Sequence, residues 1–176
     1  MKARIALIML IVVGVTVGAS SAPARTGESG ASKTIVGVAS GDKRFSTLVA
    51  LVKQAGLAKT LSGKGQFTVF APTNAAFAKL KRTAPDTFAA VAGDKALLTQ
   101  VLTYHVLPNR VPSSAAVAAA KKNASVKTVQ GEPITLSIRG GKLTLNGTSK
   151  VIVADVKASN GVIHAIDTVI VPPSMS

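Results

Sequence analysis

Phe67-Thr68-Val69-Phe70-Ala71-Pro72-Thr73-Asn74-Ala75-Ala76-Phe77 is the stretch that decides the fold, because it combines a strand, a corner and a helix start. Its apolar residues predict a short strand from Phe67 to Phe70. Pro72 ends that strand, since proline has no amide donor for a strand ladder. Thr73 or Asn74 can then accept backbone N–H groups as the cap of a helix. The sequence therefore predicts a strand-to-helix corner here.

Apolar spacing on both sides of this corner predicts helices in the first half of the chain. Asp42 can cap a helix whose apolar residues recur at i, i+3, i+4 and i+7, and Gly56 ends it. Asp94 can cap another helix, which Pro108 cannot continue. The apolar faces are Phe45, Leu48, Val49, Leu51 and Val52 in the first helix, and Leu97, Leu98, Val101, Leu102 and His105 in the second.

The second half of the chain alternates apolar and polar residues, which predicts strands. One alternating run, 134–138, leads to a turn at Gly140-Gly141, and the next ends at Asn146-Gly147. Two more strands are expected over 151–156 and 162–171. Helices followed by strands, without a β-α-β rhythm, predict an α+β domain with a mostly antiparallel sheet.

Three segments together resemble the signature motifs of the fasciclin domain family: 67–77, Tyr104-His105 and 160–172. They occur in the order and at the spacing of that family, and the resemblance covers about 34–172. It implies a β-sandwich or wedge of mostly antiparallel strands flanked by several helices, and a role in adhesion, matrix attachment or surface interaction. The interaction candidates carried over from these motifs are Thr68, Phe70, Pro72, Thr73, Asn74, Phe77, Tyr104, His105, Asn160, Gly161, His164 and Asp167.

The polar residues of these motifs also have a structural interpretation. His105 lies on an apolar helix face, which favours a hydrogen-bonded core histidine over a catalytic one. His164 and Asp167 are three residues apart, so a regular strand directs them to opposite faces and they form no couple. We expect a backbone carbonyl beside His164, and backbone amides or a basic group beside Asp167. Tyr104 either exposes its ring or uses its hydroxyl to lock the adjacent turn.

The N-terminus of the chain predicts export. Residues 1–24 have the layout of a secretory signal peptide, with Lys2 and Arg4 before an apolar stretch and then small residues. Cleavage after Ala19 and after Ala24 both fit, and a retained anchor helix is the alternative. We expect a flexible leader at 25–33, a single domain at 34–172 and a C-terminal tail at 173–176. The chain has no cysteine, so packing rather than disulfides must stabilise this secreted or periplasmic protein.

The charge of the chain favours anionic partners. Without Lys2 and Arg4 there are 19 basic and 7 acidic residues, a net charge of +12. The alternative is a basic surface that only provides solubility. Five Phe and one Tyr supply few stacking platforms, so no specific nucleic-acid binding is expected. Membrane contact is expected only through the signal peptide or surface electrostatics. The densest basic groups are Lys79, Lys81 and Arg82, and Lys121, Lys122 and Lys127.

Catalytic and metal-binding signatures are missing from the sequence. It has no Cys nucleophile, Ser40 is one place too late for a G-x-S-x-G elbow, and its two histidines have no metal-ligand spacing. We therefore expect that the protein is not an enzyme and that it binds no cofactor or metal. One hypothesis is an adhesion or interaction module that holds a cell-envelope or matrix component such as an anionic polysaccharide. The other is a carrier of a lipid or carotenoid, with Ala115 to Ala120 as one wall of an apolar groove.

Overall fold

The computed structural model describes residues 33–175. The expected signal peptide at 1–24, the leader up to residue 32 and the last tail residue lie outside this range. Among the described helices, none combines the length and the apolar character that crossing a membrane requires. The remaining tail residues, Pro173–Met175, form a 3-10 turn.

Seven α-helices follow one another through most of the first two thirds of the described chain, and polar side chains start several of them. Thr34 caps α1, Thr73 caps α4 and Asp94 caps α6 by accepting backbone N–H groups. Asp42 caps the 3-10 turn Lys43–Phe45, which leads directly into α2. The helices are α1 (Ile35–Ser40), α2 (Ser46–Gln54), α3 (Ala58–Leu61), α4 (Asn74–Thr83), α5 (Pro85–Gly93), α6 (Lys95–Tyr104) and α7 (Ser113–Ala120).

Within the described residues, seven strands form one sheet in the order β2-β1-β7-β6-β5-β4-β3. β1 and β7 pair in parallel, with Phe67 opposite Gly161, and all the other neighbours are antiparallel. The expected α+β class with a mostly antiparallel sheet is therefore confirmed. The strands are β1 (Phe67–Pro72), β2 (Val106–Leu107), β3 (Ser125–Lys127), β4 (Pro133–Arg139), β5 (Lys142–Leu145), β6 (Ser149–Ala158) and β7 (Gly161–Ile166).

The two faces of β1 and β7 contribute to two hydrophobic cores. Val69 of β1 and Ile163 of β7 lie in the first core, together with apolar side chains of α1 to α6. Phe70 and Ile166 point the other way, into the second core, which contains Leu and Ile side chains of β4 and β5 and Ala side chains of α7. Strands from the two halves of the sheet thus share a core, and the sheet is nearly barrel-shaped.

Some element boundaries differ from the sequence prediction. The strand expected over 162–171 is too long, because β7 ends at Ile166. Asp167 N–H donates to the carbonyl of Lys150, and the chain then leaves the sheet so that Ile170 N–H can reach His105. β1 continues to Pro72, and the helix that starts at Asn74 runs to Thr83. No helix is predicted from the sequence at α1, α3, α5 or α7.

Gly161 is required where β7 starts, because the backbone of β1 passes very close to it. A Cβ atom at this position would lie 2.0 Å from the carbonyl oxygen of Phe67 and 2.9 Å from Cδ1 of Ile35. The Phe67 atom belongs to the backbone of the paired strand, so it cannot rotate away. Any side chain at 161 must therefore separate β7 from β1.

We predict that Gly161→Ala lowers the free energy of unfolding by at least about 3 kcal/mol, since it forces the parallel strand pair apart. Chemical denaturation followed by circular dichroism measures the change. Gly93→Ala is the matched control, because a Cβ there would meet no atom within 4 Å. It should leave the stability within about 0.5 kcal/mol of the wild type. Equal effects of the two substitutions would contradict the role assigned to Gly161.

Candidate interaction site

The segment 105–113, which contains β2 and leads into α7, is held by side chains from all three sequence motifs; we call it the connecting segment. Thr68 of β1 makes the first attachment. Its hydroxyl donates to the carbonyl of Asn109 and accepts from the N–H of Val111, both at 2.7 Å. Thr68 is fully buried, so these two bonds satisfy the hydroxyl without water.

His164 of β7 makes the second attachment. Asp155 N–H donates to Nδ1 of His164 at 3.2 Å, so Nδ1 carries no proton and Nε2–H donates to the carbonyl of Val111 at 2.9 Å. The expectation of a core histidine bonded to a backbone carbonyl agrees with this geometry. Asp155 in turn accepts from the N–H and the hydroxyl of Ser113, the first residue of α7. The Ser113 hydrogen bond holds the pKa of Asp155 below its usual range.

His105 attaches the start of the connecting segment to the first core. Ile170 N–H donates to its Nε2 at 3.2 Å, and Nδ1–H donates to the carbonyl of Val101 at 2.7 Å, so the ring is neutral. His105 also lines two apolar cavities of about 30 and 20 Å³. Burial lowers its pKa to about 4, and the hydrogen bond to Val101 only partly offsets this effect.

Tyr104 is buried in the second core and does not expose its ring. Its hydroxyl donates to the carbonyl of Pro133 at 3.0 Å and accepts from the side-chain amide of Asn146 at 2.8 Å. Asn146 Oδ1 accepts from the N–H of Thr135. Of the two sequence expectations for Tyr104, the structure therefore agrees with the one in which the hydroxyl is hydrogen-bonded. Its bonds join the end of α6 to β4 and to the turn after β5.

The other motif residues join elements elsewhere in the fold. Asn160 accepts from the N–H of Ile35 and donates to the carbonyls of Leu61 and Gly63. Asn74 bonds the start of α2, and Asp167 accepts from Lys150 N–H instead of meeting His164. Pro72 ends β1. Phe70 and Phe77 lie in the two different cores.

The buried motif residues hold the connecting segment in place, and the connecting segment lies at the surface. Its residues Pro108, Asn109, Arg110 and Pro112 are exposed. The motif residues that hold it, Thr68, Tyr104, His105 and His164, are buried and cannot touch a partner of the folded protein. The arrangement therefore presents a rigid loop rather than a set of reactive side chains.

The predicted basic residues fall into two separate groups. Lys79, Lys81 and Arg82 are exposed on α4, which contributes to the first core. Lys121, Lys122 and Lys127 are exposed around the turn between α7 and β3, on the side of the second core. Because the two cores lie on opposite faces of β1, the structure does not bring the two groups together.

Most acidic side chains between residues 33 and 175 accept hydrogen bonds from other groups of the chain. Asp42 pairs with Arg44 at 2.7 Å, the one ion pair in this part of the chain, and that pairing holds the pKa of Asp42 below its usual range. Most of the others accept bonds from backbone or hydroxyl groups, so most lysines and arginines have no carboxylate partner. The acidic side chains with such internal bonds are Asp42, Asp94, Glu132, Asp155 and Asp167.

Sequence reasoning missed Asp155, which holds both His164 and the start of α7. Asp155 has φ +57°, and it lies where the register between β6 and β7 shifts. Asp155 is exposed, and the available signal was that it interrupts the otherwise apolar run 151–156, as a residue at a β-bulge can. Within residues 33–175, no cluster of three or more His, Asp or Glu side chains could hold a metal ion.

We predict that His105 makes stability fall between about pH 6.5 and pH 4. Its pKa is lower in the folded chain than in the unfolded chain, so its contribution is complete above the unfolded pKa and is lost as the pH falls through the folded pKa. The full effect is on the order of 3 kcal/mol. Urea unfolding of the wild type and of His105→Gln at pH 7 and pH 4.5 measures it. If the free energy of unfolding falls by the same amount in both proteins, His105 does not cause the pH dependence.

Comparisons with known proteins agree with the motifs. The Fasciclin domain family matches residues 43–172. Protein sll1483 of Synechocystis sp. is 47% identical over 140 residues, which cover 80% of this chain and 74% of that protein. Immunogenic protein MPB70 of Mycobacterium bovis is 36% identical over 141 residues, covering 77% of this chain and 67% of that protein.

A solved structure shares the fold. The FAS1 domain pair of the insect cell adhesion molecule Fasciclin I superimposes with a TM-score of 0.70 at 18% identity, over 82% of this chain and 52% of that one. The family match covers most of the chain, and two bacterial relatives exceed one third identity. The chain therefore belongs to the fasciclin domain family.

Proposed function

We propose that this fasciclin domain is a secreted or periplasmic, non-enzymatic interaction module that binds an anionic polysaccharide of the cell envelope or matrix through its basic surface. Fasciclin domains are linked to adhesion and interaction modules. The signal-peptide pattern of residues 1–24 supports export, where such polymers are the available polyanions.

One observation carries the proposal: the fold uses its few carboxylates internally and leaves its basic groups uncompensated. Between residues 33 and 175 there are 18 basic and 6 acidic residues, and Asp42 with Arg44 is the one ion pair there. Lysines that have no carboxylate partner sum to a positive potential over the surface, and that potential attracts a polyanion from a distance. The exposed group Lys121, Lys122 and Lys127, of which Lys127 lines a groove beside the connecting segment, is our candidate for the centre of contact.

A carrier of a lipid or carotenoid has less support. The two apolar cavities beside His105 measure about 30 and 20 Å³, whereas ligand pockets typically enclose roughly 300 Å³ or more. The expected wall at Ala115 to Ala120 is helix α7, whose Ala116 and Ala120 are buried in the second core. A lipid held in either cavity or against α7 would therefore have to displace core side chains.

We predict retention on an immobilised anionic polysaccharide, with heparin as the probe, that weakens roughly tenfold between 50 and 200 mM salt. Surface plasmon resonance of the mature protein measures the affinity, and uncharged dextran should bind nothing. Retention that salt does not change, or no retention at low salt, would overturn the proposal.

Two triple variants test where the contact lies. Replacing Lys121, Lys122 and Lys127 by Gln should weaken heparin binding roughly tenfold, because three candidate contacts are lost. Replacing Lys53, Lys59 and Lys64 by Gln removes the same charge from exposed positions that the proposal does not use. This matched control should weaken binding only about twofold. Equal losses would show that net charge alone governs binding.

A further inference from the structure

The two outer strands of the sheet, β2 and β3, come together without closing the barrel. They lie at opposite ends of the strand order. The N–H of Val129, just after β3, donates to the carbonyl of Val106 in β2 at 2.8 Å. From this contact the two chains diverge and leave an open groove. Its lining residues include Leu107, Asn109 and Val111 on one side and Val126, Lys127 and Val129 on the other.

The β3 side of the groove has backbone groups directed away from β4. Leu136 N–H donates to the carbonyl of Ala124, and Thr128 N–H donates to the carbonyl of Glu132. In an antiparallel ladder such residues alternate with residues whose N–H and C=O point outward. Ser125 and Lys127 are the alternate residues, so their backbone groups lie on the outer edge of the sheet. No eighth strand covers that edge in the described chain.

The opposite side of the groove cannot pair with a strand in the same way. The carbonyl of Asn109 and the N–H of Val111 bond to the hydroxyl of Thr68, and the carbonyl of Val111 bonds to His164. Proline at 108 has no N–H to offer. This side is therefore a fixed, partly apolar wall, and the unused pairing capacity belongs to β3 alone.

Charge selects the occupant of the groove. Lys127 lies on the exposed edge, Arg110 is exposed on the opposite side, and Lys121 and Lys122 precede β3. The carboxylate of Glu132 is nearby but accepts from Ser174 and Gln130. A second copy of this chain would bring the same lysines against themselves, and like charges facing each other disfavour strand pairing. Acidic side chains would be attracted instead.

We propose that the groove between the connecting segment and β3 binds an extended, acidic segment of a partner protein, which adds to the sheet beside β3. Backbone groups of Ser125 and Lys127 would bond the added strand, as in other recognition by β-strand addition. Alternate side chains of that strand would meet the half-buried Val111, and the others would lie beside the basic residues. Val129, which is 45% exposed, would gain an apolar neighbour.

The probe is a short fluorescein-labelled peptide of alternating Glu and Val residues, titrated against the mature protein by fluorescence anisotropy. The matched peptides replace Glu by Lys, or carry N-methyl groups on alternate backbone amides. N-methylation preserves side chains and charge but removes the donors that strand pairing needs. We expect the Glu–Val peptide to bind at least about tenfold more tightly than either matched peptide.

Two substitutions at one position separate backbone pairing from charge. Lys127→Pro removes the outward N–H, which the ladder with β4 does not use, and an edge strand tolerates such a proline. Lys127→Gln removes the same positive charge and keeps the N–H. We expect Lys127→Pro to weaken binding of the Glu–Val peptide at least about tenfold, and Lys127→Gln to weaken it only about threefold. Circular dichroism and thermal unfolding establish that both variants fold.

Each result of the peptide titrations either supports or overturns strand addition. Equal binding by Lys127→Pro and Lys127→Gln, or by the N-methylated and unmodified peptides, would overturn strand addition and leave surface electrostatics only. If Lys127→Pro does not fold, the N-methylated peptide still decides with the wild-type protein. If the protein binds heparin but not the Glu–Val peptide, the polysaccharide proposal is supported and strand addition is refuted. If it binds the Glu–Val peptide but not heparin, strand addition is supported and the polysaccharide proposal is refuted.

Discussion

The parallel pairing of β1 with β7 is the constraint on which the rest of the structure depends. It joins the first sequence motif to the third, although some ninety residues separate the paired positions Phe67 and Gly161. A parallel pair cannot be closed by a tight turn, so the intervening chain must leave the sheet and return. The absence of a side chain at Gly161 allows the two backbones to approach, and the pleat then distributes side chains to two cores.

This pairing explains why buried polar residues determine the shape of an exposed loop. Thr68 and His164 project from the paired strands β1 and β7, and Phe70 stacks on His164 with 5.7 Å between the ring centres. Both polar side chains reach backbone atoms of the connecting segment, and Tyr104 and His105 fix the chain just before β2. The motifs thus act on the surface through the backbone that they hold.

The local features of the fold could be predicted from the sequence, because they depend on neighbouring residues. The caps at Thr73 and Asp94 and the turns at Gly140-Gly141 and Asn146-Gly147 are such features. Helix α7 could not be predicted in this way, since its run of small residues has almost no amphipathic periodicity. The length of β7 was misjudged because hydrogen bonds to distant residues, at Lys150 and His105, end the strand.

The candidate site was the least predictable part of the molecule, because it forms between segments that meet only after the sheet bends. The sequence motifs identified Thr68, His105 and His164, yet nothing local indicated that Thr68 and His164 converge on residues 109–111. Those same bonds explain why the barrel stays open there.

A strand closes a barrel by offering its outer backbone groups to the next strand. Here Pro108 has no N–H, the carbonyl of Asn109 and the N–H of Val111 bond to the hydroxyl of Thr68, and the carbonyl of Val111 bonds to His164. β2 therefore ends after two residues, and no strand between residues 33 and 175 pairs with most of the outer edge of β3. The interactions that make the connecting segment rigid are thus the ones that leave an unfilled place in the sheet.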